Sequence, residues 1–342
     1  MSNSDYFSPP HLHDHSSVRG MMTQVGLAMI PGVIFYWWFF GTGILVQCLL
    51  AVIFALALEW FIQRFVKKCI TVYIDGSVVV TALLFAVAIT PFTAWWINLA
   101  GIAFAVVVAK HVYGGLGYNL FNPAMAGYVF VLLCFPAQLN TWPSAGGAGD
   151  MVPALADYLG MIFNNTSIDA YSGASPLNHM KSQLNSMAMI PEITQDPLYG
   201  SFAGYGWEFI NIGFLCGGIW LLVSRIINWH IPVAFLAGLT CMSMLFYMLD
   251  SNVAVSPLVN LFTGGTMLCA FFIATDPVTA PSSNLGRLVY GFSIGIIAFV
   301  IRKWGAYPDG LAFAVLIANA FAPLINIYFN PEVLGEKTGD GN

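Results

Sequence analysis

The run Asp169-Ala170-Tyr171-Ser172-Gly173-Ala174-Ser175-Pro176-Leu177 sets two serine hydroxyls among small residues and a proline, in the only long polar loop of an apolar chain. Small neighbours leave a hydroxyl exposed and let the backbone approach a bulky group closely. A hydroxyl presented in this way can be esterified, although the same composition also makes an ordinary turn. The second kind of chemistry lies in five carboxylates near the ends of apolar runs: Glu59, Glu208, Asp250, Asp276 and Asp309. Ionisable groups inside a membrane are costly and by default point to function. All five can be placed near an interface where water solvates them, and for Asp250 that bland reading is preferred. Asp276 and Asp309 stand apart because each adjoins a proline, in Thr275-Asp276-Pro277 and Tyr307-Pro308-Asp309, where discontinuous helices build ion or substrate sites. These two are the ion-path residues to test. A cap on the following helix is the structural alternative for Asp309.

Metal chemistry has less support. His11, His13 and His15, with Asp14, form a ligand-rich tract near the amino terminus. Nothing nearby supplies a rigid second shell, so a polar docking tail is the preferred reading. The six cysteines, Cys48, Cys69, Cys134, Cys216, Cys241 and Cys269, contain no C-x-x-C and sit mostly in apolar runs, as small buried hydrophobes would. No metal site is expected from this chain alone, and no dinucleotide fingerprint is present.

The elements that must position these groups are membrane helices. Of 342 residues 58% are hydrophobic and only 8% charged, well below the ~25% charged residues of soluble domains. The net charge of -5 is small and the acids are concentrated in loops, so nothing suggests a basic nucleic-acid surface. Hydrocarbon requires backbone groups to be bonded within a segment, so apolar runs of about 20 residues read as spanning helices. Ten are expected, over 20–40, 43–62, 77–92, 97–110, 123–139, 208–227, 231–249, 255–274, 286–301 and 309–326. Proline or short length makes the third, fourth and eighth tilted or broken. Trp37-Trp38 and Trp95-Trp96 fall where interfacial aromatic belts are expected.

With the amino terminus inside, Arg19, Arg64, Lys67, Lys68, Lys110, Arg225, Arg287 and Lys337 are cytoplasmic, eight of the eleven basic residues. Only Lys181, Arg302 and Lys303 are outside, which by the positive-inside rule puts both termini in the cytoplasm and the long loop in the periplasm. The chain also repeats. Phe121-Asn122-Pro123-Ala124 opens the fifth helix as Ala306-Tyr307-Pro308-Asp309 opens the tenth, and Ile89-Thr90-Pro91 resembles Thr275-Asp276-Pro277 at nearly the same offset. Two five-helix halves follow, and an odd number makes them inverted. The expected organisation is an all-α integral membrane protein: a tail (1–19), the first repeat (20–139), the loop (140–207), the second repeat (208–328) and a second tail (329–342).

Several long motifs occur in order: Lys110-His111-Val112-Tyr113-Gly114-Gly115-Leu116-Gly117, then Asn119, Phe121-Asn122-Pro123-Ala124-Met125, Thr275-Asp276-Pro277-Val278-Thr279-Ala280 with Gly286-Arg287, and Tyr307-Pro308-Asp309-Gly310. Together with the loop, they make the chain resemble, over nearly its whole length, the D subunits of Rnf ion-translocating electron-transport complexes, relatives of the B subunit of the sodium-pumping NADH:quinone oxidoreductase. The resemblance implies FMN joined through its phosphate to a hydroxyl in the pattern small residue, Ala, Thr, any residue, Leu. Here Ser175 stands at the threonine position; serine forms the same phosphoester and lacks only the methyl group. Thr166 and Ser172 match the pattern less well. The resemblance further implies a noncovalent riboflavin, partner subunits that supply the dinucleotide and cluster chemistry, transport of Na+ or H+, and a bacterial inner membrane. On that reading the chain is part of a redox-driven translocase and is not a complete enzyme alone. Helix count and inverted topology equally suit a channel or secondary transporter for a small polar solute, and a scaffold that has lost its flavin is a third reading.

Overall fold

The structure, a computed structural model, describes residues 18–67, 76–115, 117–146, 152–164, 166, 171–307 and 309–329. Among these, six helices are long and apolar enough to cross a membrane: α1 (Val18–Phe40), α2 (Gly43–Phe61, continued to Val66 by π-helical turns), α4 (Trp95–Ala103, continued to Val112 likewise), α11 (His230–Leu249), α14 (Asn284–Trp304) and α15 (Leu311–Tyr328). Three shorter apolar helices stand among them, α3 (Ser77–Ala88), α5 (Pro123–Cys134) and α10 (Trp207–Val223). The run over 255–274, expected to be tilted or broken, is split into α12 (Pro257–Phe262) and α13 (Thr266–Leu268), the latter running into π-helical turns over Cys269–Ile273. Gly264 takes a positive φ at the break. The run expected over 123–139 also divides, because Pro136 has no N–H to donate and disfavours helical backbone at Phe135. Phe135 accordingly lies outside the helical region, between α5 and α6 (Pro136–Leu139).

Glycine decides which helices touch. On α10 a Cβ at Gly213 would meet the Pro31 carbonyl of α1, and one at Gly217 would meet that of Ala28. The α11–α14 pair uses Gly238, Gly291 and Gly295 in the same way, each facing backbone of the other helix. Close backbone approach of this kind substitutes for hydrophobic driving force where the surroundings are lipid. α2 packs against α3 and α4, and α11 correspondingly against α12 and α14.

The short α3 and α5 each rise only about 18 Å, so non-helical backbone follows them at depth. Such backbone is tolerated only where protein or a wet cavity satisfies it. After α3 the duty falls to Gln47 of α2, which donates to the carbonyls of Pro91 (3.3 Å) and Thr93 (2.5 Å) and accepts from Asn98 of α4 (2.7 Å). At the break between α12 and α13 it falls to Asn211 of α10, which donates to the Phe262 and Gly264 carbonyls (3.0 and 2.9 Å) and accepts from Met267 N–H (3.0 Å).

The loop between α6 and α10 holds more structure than its polar composition suggests. It contains α7 (Leu155–Asn164), α8 (Pro176–Asn185), α9 (Ile190–Ile193) and a two-residue antiparallel pair, β1 (Trp142–Pro143) with β2 (Ser172–Gly173). α7 is pinned by the buried Tyr158, whose hydroxyl donates to the Phe40 carbonyl at 2.5 Å. The expected cysteine burial is only partly met: Cys269 is buried, whereas Cys134, Cys216 and Cys241 are exposed on helix surfaces. In a membrane protein an apolar position can face lipid as readily as core. Cys69 and the His11–His15 tract lie outside the described residues.

Candidate functional site

Ser175 is the N-cap of α8. Its Oγ accepts from Asn178 N–H at 3.3 Å, and Pro176 occupies the first helical position, where a missing N–H is not needed. The strand pair draws the serine run against the end of α6: Trp142 faces Gly173 across β1 and β2, and Ser144 N–H donates to the Tyr171 carbonyl. Gly173 permits this approach, since an added Cβ would lie 2.7 Å from Ser144 Oγ. Thr166 is not among the residues brought to this place, and Ser172 lies in β2 itself.

Two clasps fix α8. Lys181 donates to the carbonyls of Gly305 and Tyr307 (the latter at 3.2 Å), tying the helix to the α14–α15 connection. Burial lowers the proton affinity of this amine below the ordinary lysine value. On the other face Tyr199 donates to the Pro176 carbonyl (3.1 Å) and contacts His179 Nδ1 (3.2 Å), while Asp196 stands 3.7 Å from His179 Nε2. Burial, and after it the Asp196 carboxylate, raise Tyr199 above the usual tyrosine range, so its hydroxyl stays a donor.

Ser175, Pro176 and Leu177 form one wall of a partly open cavity of about 100 Å³. Aromatic side chains from distant positions close it: Trp142, Trp207, Tyr128 and Tyr307. Trp142 and Trp207 meet edge-on, with centroids 5.1 Å apart. Its mostly apolar, aromatic lining suits a planar aromatic group. The helix break contributes Thr263, Gly264 and Gly265, and the α14–α15 connection contributes Asp309.

Asp309 does not cap α15, which starts from Gly310 without a side-chain cap. Its Oδ1 instead accepts from Arg302 Nε and NH2 (3.2 and 3.0 Å), and its Oδ2 from Gly265 N–H (3.0 Å). Arg302 reaches on to the carbonyls of Asn260 (2.7 Å) and Thr263 (3.3 Å) and to Thr266 Oγ1 (2.9 Å), so one ion pair holds both ends of the helix break. In the sequence Arg302 stands out only as an outer basic residue. The signal that could have found the pair is a basic residue ending an apolar run seven positions before the Asp of a Pro-Asp-Gly turn.

Asp276 is in a different cavity, at the opposite ends of α3 and α5, lined also by Ser77, Lys110, Asn122 and Thr275. Its carboxylate accepts from Val278 N–H (3.2 Å) and Thr279 Oγ1 (3.3 Å), which closes a turn. Beside this cavity Glu59 is buried and ion-paired, not water-solvated as expected: Lys110 Nζ lies at 3.2 Å, His111 Nε2 at 2.8 Å and Gln63 Nε2 at 2.8 Å from its oxygens. Glu208 is likewise 2% exposed, with its carboxylate accepting from Phe202 N–H (3.3 Å). Asp250 is exposed, as expected. In the Tyr113-Gly114-Gly115 turn, both glycines have positive φ, and Asn122 caps α5 through Met125 N–H. Among the described residues no three metal-ligating side chains converge.

A multi-pass helical membrane protein with two cavities at opposite ends of a shared set of helices, one of them walled by a structured polar loop, is the class defined by this architecture. The pattern of the NQR2, RnfD, RnfE family matches residues 6–335, and the chain belongs to that family. It is similar to proteins named as the D subunit of the ion-translocating oxidoreductase complex, among them those of Aliivibrio salmonicida (46% identical), Vibrio cholerae serotype O1 (45%) and Erwinia tasmaniensis (42%). The matches cover 96–97% of this chain and 98% of each relative.

Proposed function

We propose that the chain is a membrane subunit of an Rnf-type ion-translocating oxidoreductase complex and carries FMN as a phosphoester on Ser175. Family membership and the relatives' names support the complex. The observation that carries the flavin reading is Ser175 itself, a hydroxyl at a helix N-terminus on the wall of an aromatic-lined cavity. Such a terminus favours a phosphate through its free N–H groups and dipole. Trp142, Trp207, Tyr128 and Tyr307 would line the site for an isoalloxazine. FMN, when bound, exchanges two electrons with one partner and single electrons with the next. Lys181 and Tyr199 hold the tether in place while it does so.

In this reading ten helical segments cross a bacterial inner membrane as two inverted five-helix repeats, the termini are cytoplasmic and the flavin loop is periplasmic. The matched pairings of α2 and α11 with their neighbours support the repeat. Na+ or H+ enters through the cavity at Asp276 and leaves through that at Asp309. Other subunits supply the dinucleotide and iron–sulfur chemistry, and a noncovalent riboflavin belongs to the reading without assigned residues.

The test is the full chain made in its native host, denatured and run on a gel, then scanned for flavin fluorescence and mapped by peptide mass. FMN mass on the peptide containing Ser175, lost in Ser175→Ala and kept in Ser175→Thr, is the expected result. No covalent flavin in that material would overturn the site assignment and favour a transporter or channel for a small polar solute.

A further inference from the structure

The cavity that Ser175 lines also carries, beside Leu177, two polar groups that packing alone does not explain. Thr263 is 1% exposed, lines the cavity, and its Oγ1 finds no hydrogen-bond partner among the described residues. A buried hydroxyl left unpaired costs stability, so its retention calls for a ligand atom or water to complete it. Asp309 is the second. Its side chain is 27% exposed while that of its partner Arg302 is 5% exposed, and Asp309 lines the cavity whereas Arg302 lies behind it. The carboxylate is held from behind by three hydrogen bonds, so its charge is fixed in position rather than free to swing out to water.

We infer that Thr263 and Asp309 form the polar end of the flavin-ring site and set the reduction potential of the flavin borne by Ser175. This inference rests on the flavin reading above. An isoalloxazine presents a donor N–H between two carbonyl acceptors on its pyrimidine edge, the complement of a carboxylate beside a hydroxyl. Reduction adds electrons to the ring, and Asp309 opposes the negative charge this brings into a cavity with apolar walls. The carboxylate therefore holds the potential low. The backbone of the helix break is part of the same assembly, since Arg302 and Asp309 bond Thr263 and Gly265 directly.

The experiment is a spectroelectrochemical titration of the full chain purified from its native host, with peptide mapping of the flavin on the same sample. Asp309→Asn should raise the midpoint, shifting the oxidised-to-reduced ratio at fixed applied potential by about tenfold, which is ~30 mV for a two-electron couple. Asp309→Glu should restore most of the shift. Thr263→Val, which keeps the shape and removes only the hydroxyl, should displace the flavin absorption band and the midpoint while leaving thermal stability unchanged or raised. Flavin on Ser175 with spectrum and midpoint unmoved in Thr263→Val, or a midpoint unmoved in a folded Asp309→Asn, would overturn the inference and leave the attachment standing. If Asp309→Asn does not fold, Thr263→Val decides alone. Wild-type chain without flavin on Ser175 would overturn both readings together, so the two failures are distinguishable.

Discussion

Replacing Glu59 with Gln tests how much of the fold rests on one carboxylate. Glu59 is 3% exposed and accepts from three donors, Lys110, His111 and Gln63, at 2.8–3.2 Å. With the charge removed, the Lys110 ammonium, 3% exposed, keeps only neutral acceptors among the described residues, Ser77 Oγ at 3.1 Å and the introduced amide oxygen. Breaking a buried pair from one side costs about 3–5 kcal/mol, because the remaining charge stays desolvated and uncompensated. Lys110→Met is milder, at roughly 1–3 kcal/mol, since Glu59 retains two donors. The double variant should cost less than the sum, with a coupling of about 1–3 kcal/mol. Reversible denaturation in mixed micelles, followed by tryptophan fluorescence, measures all three. A loss below about 0.5 kcal/mol for Glu59→Gln, or a larger loss for Lys110→Met than for Glu59→Gln, would refute the reasoning, because solvated surface pairs give values of that small size.

Two further outcomes follow from the geometry. Asn211→Ala leaves the Phe262 and Gly264 carbonyls and the Met267 N–H without their partner, so a loss of about 2–5 kcal/mol is expected, and proteolysis should open first at the α12–α13 break. Tyr199→Phe removes the donor to Pro176. Because the folded-state affinity of Tyr199 for its proton is raised, the stability this contact gives is fully present below the ordinary tyrosine value near 10 and is lost as pH rises from there through the higher folded-state value. Protection of α8 from protease should therefore be flat to about pH 10 and fall beyond it in the wild type, and the variant should lack that alkaline fall.

Much of the helix layout is legible from apolar run length alone: the run over 20–40 is α1 within two residues, and that over 231–249 is α11 within one. Breaks are legible where the residue forces them, as Pro136 does; Gly264 permits either a bend or a break, and only the packing around it selects the break. Burial is not legible. Lipid and core both accept apolar residues, so Cys134 and Cys269 look alike in sequence, yet one is exposed and the other buried. Glu59 departs from its expected solvation for a related reason: its partners Lys110 and His111 come from a π-helical stretch more than 50 residues away, where the wider turn changes which side chains share a face. At the site, the serine run is visible as local chemistry. Trp142, Trp207, Thr263 and Asp309 are brought to it only by tertiary packing, so no local pattern announces them.

The glycine contact between α1 and α10 has a consequence for how the chain is made. α1 is synthesised well before α10, and only 17% of its most apolar stretch is buried within its own protein. The surface that fits Gly213 and Gly217 is roughly 180 residues ahead of them. At about 5–20 residues per second this is a wait on the order of 10–40 s, during which the first helix has no partner for that face. Biogenesis of this protein therefore includes an interval in which α1 sits without its α10 partner, beside the insertion machinery or in lipid, while pairings within the first half, such as α2 with α3 and α4, can already form.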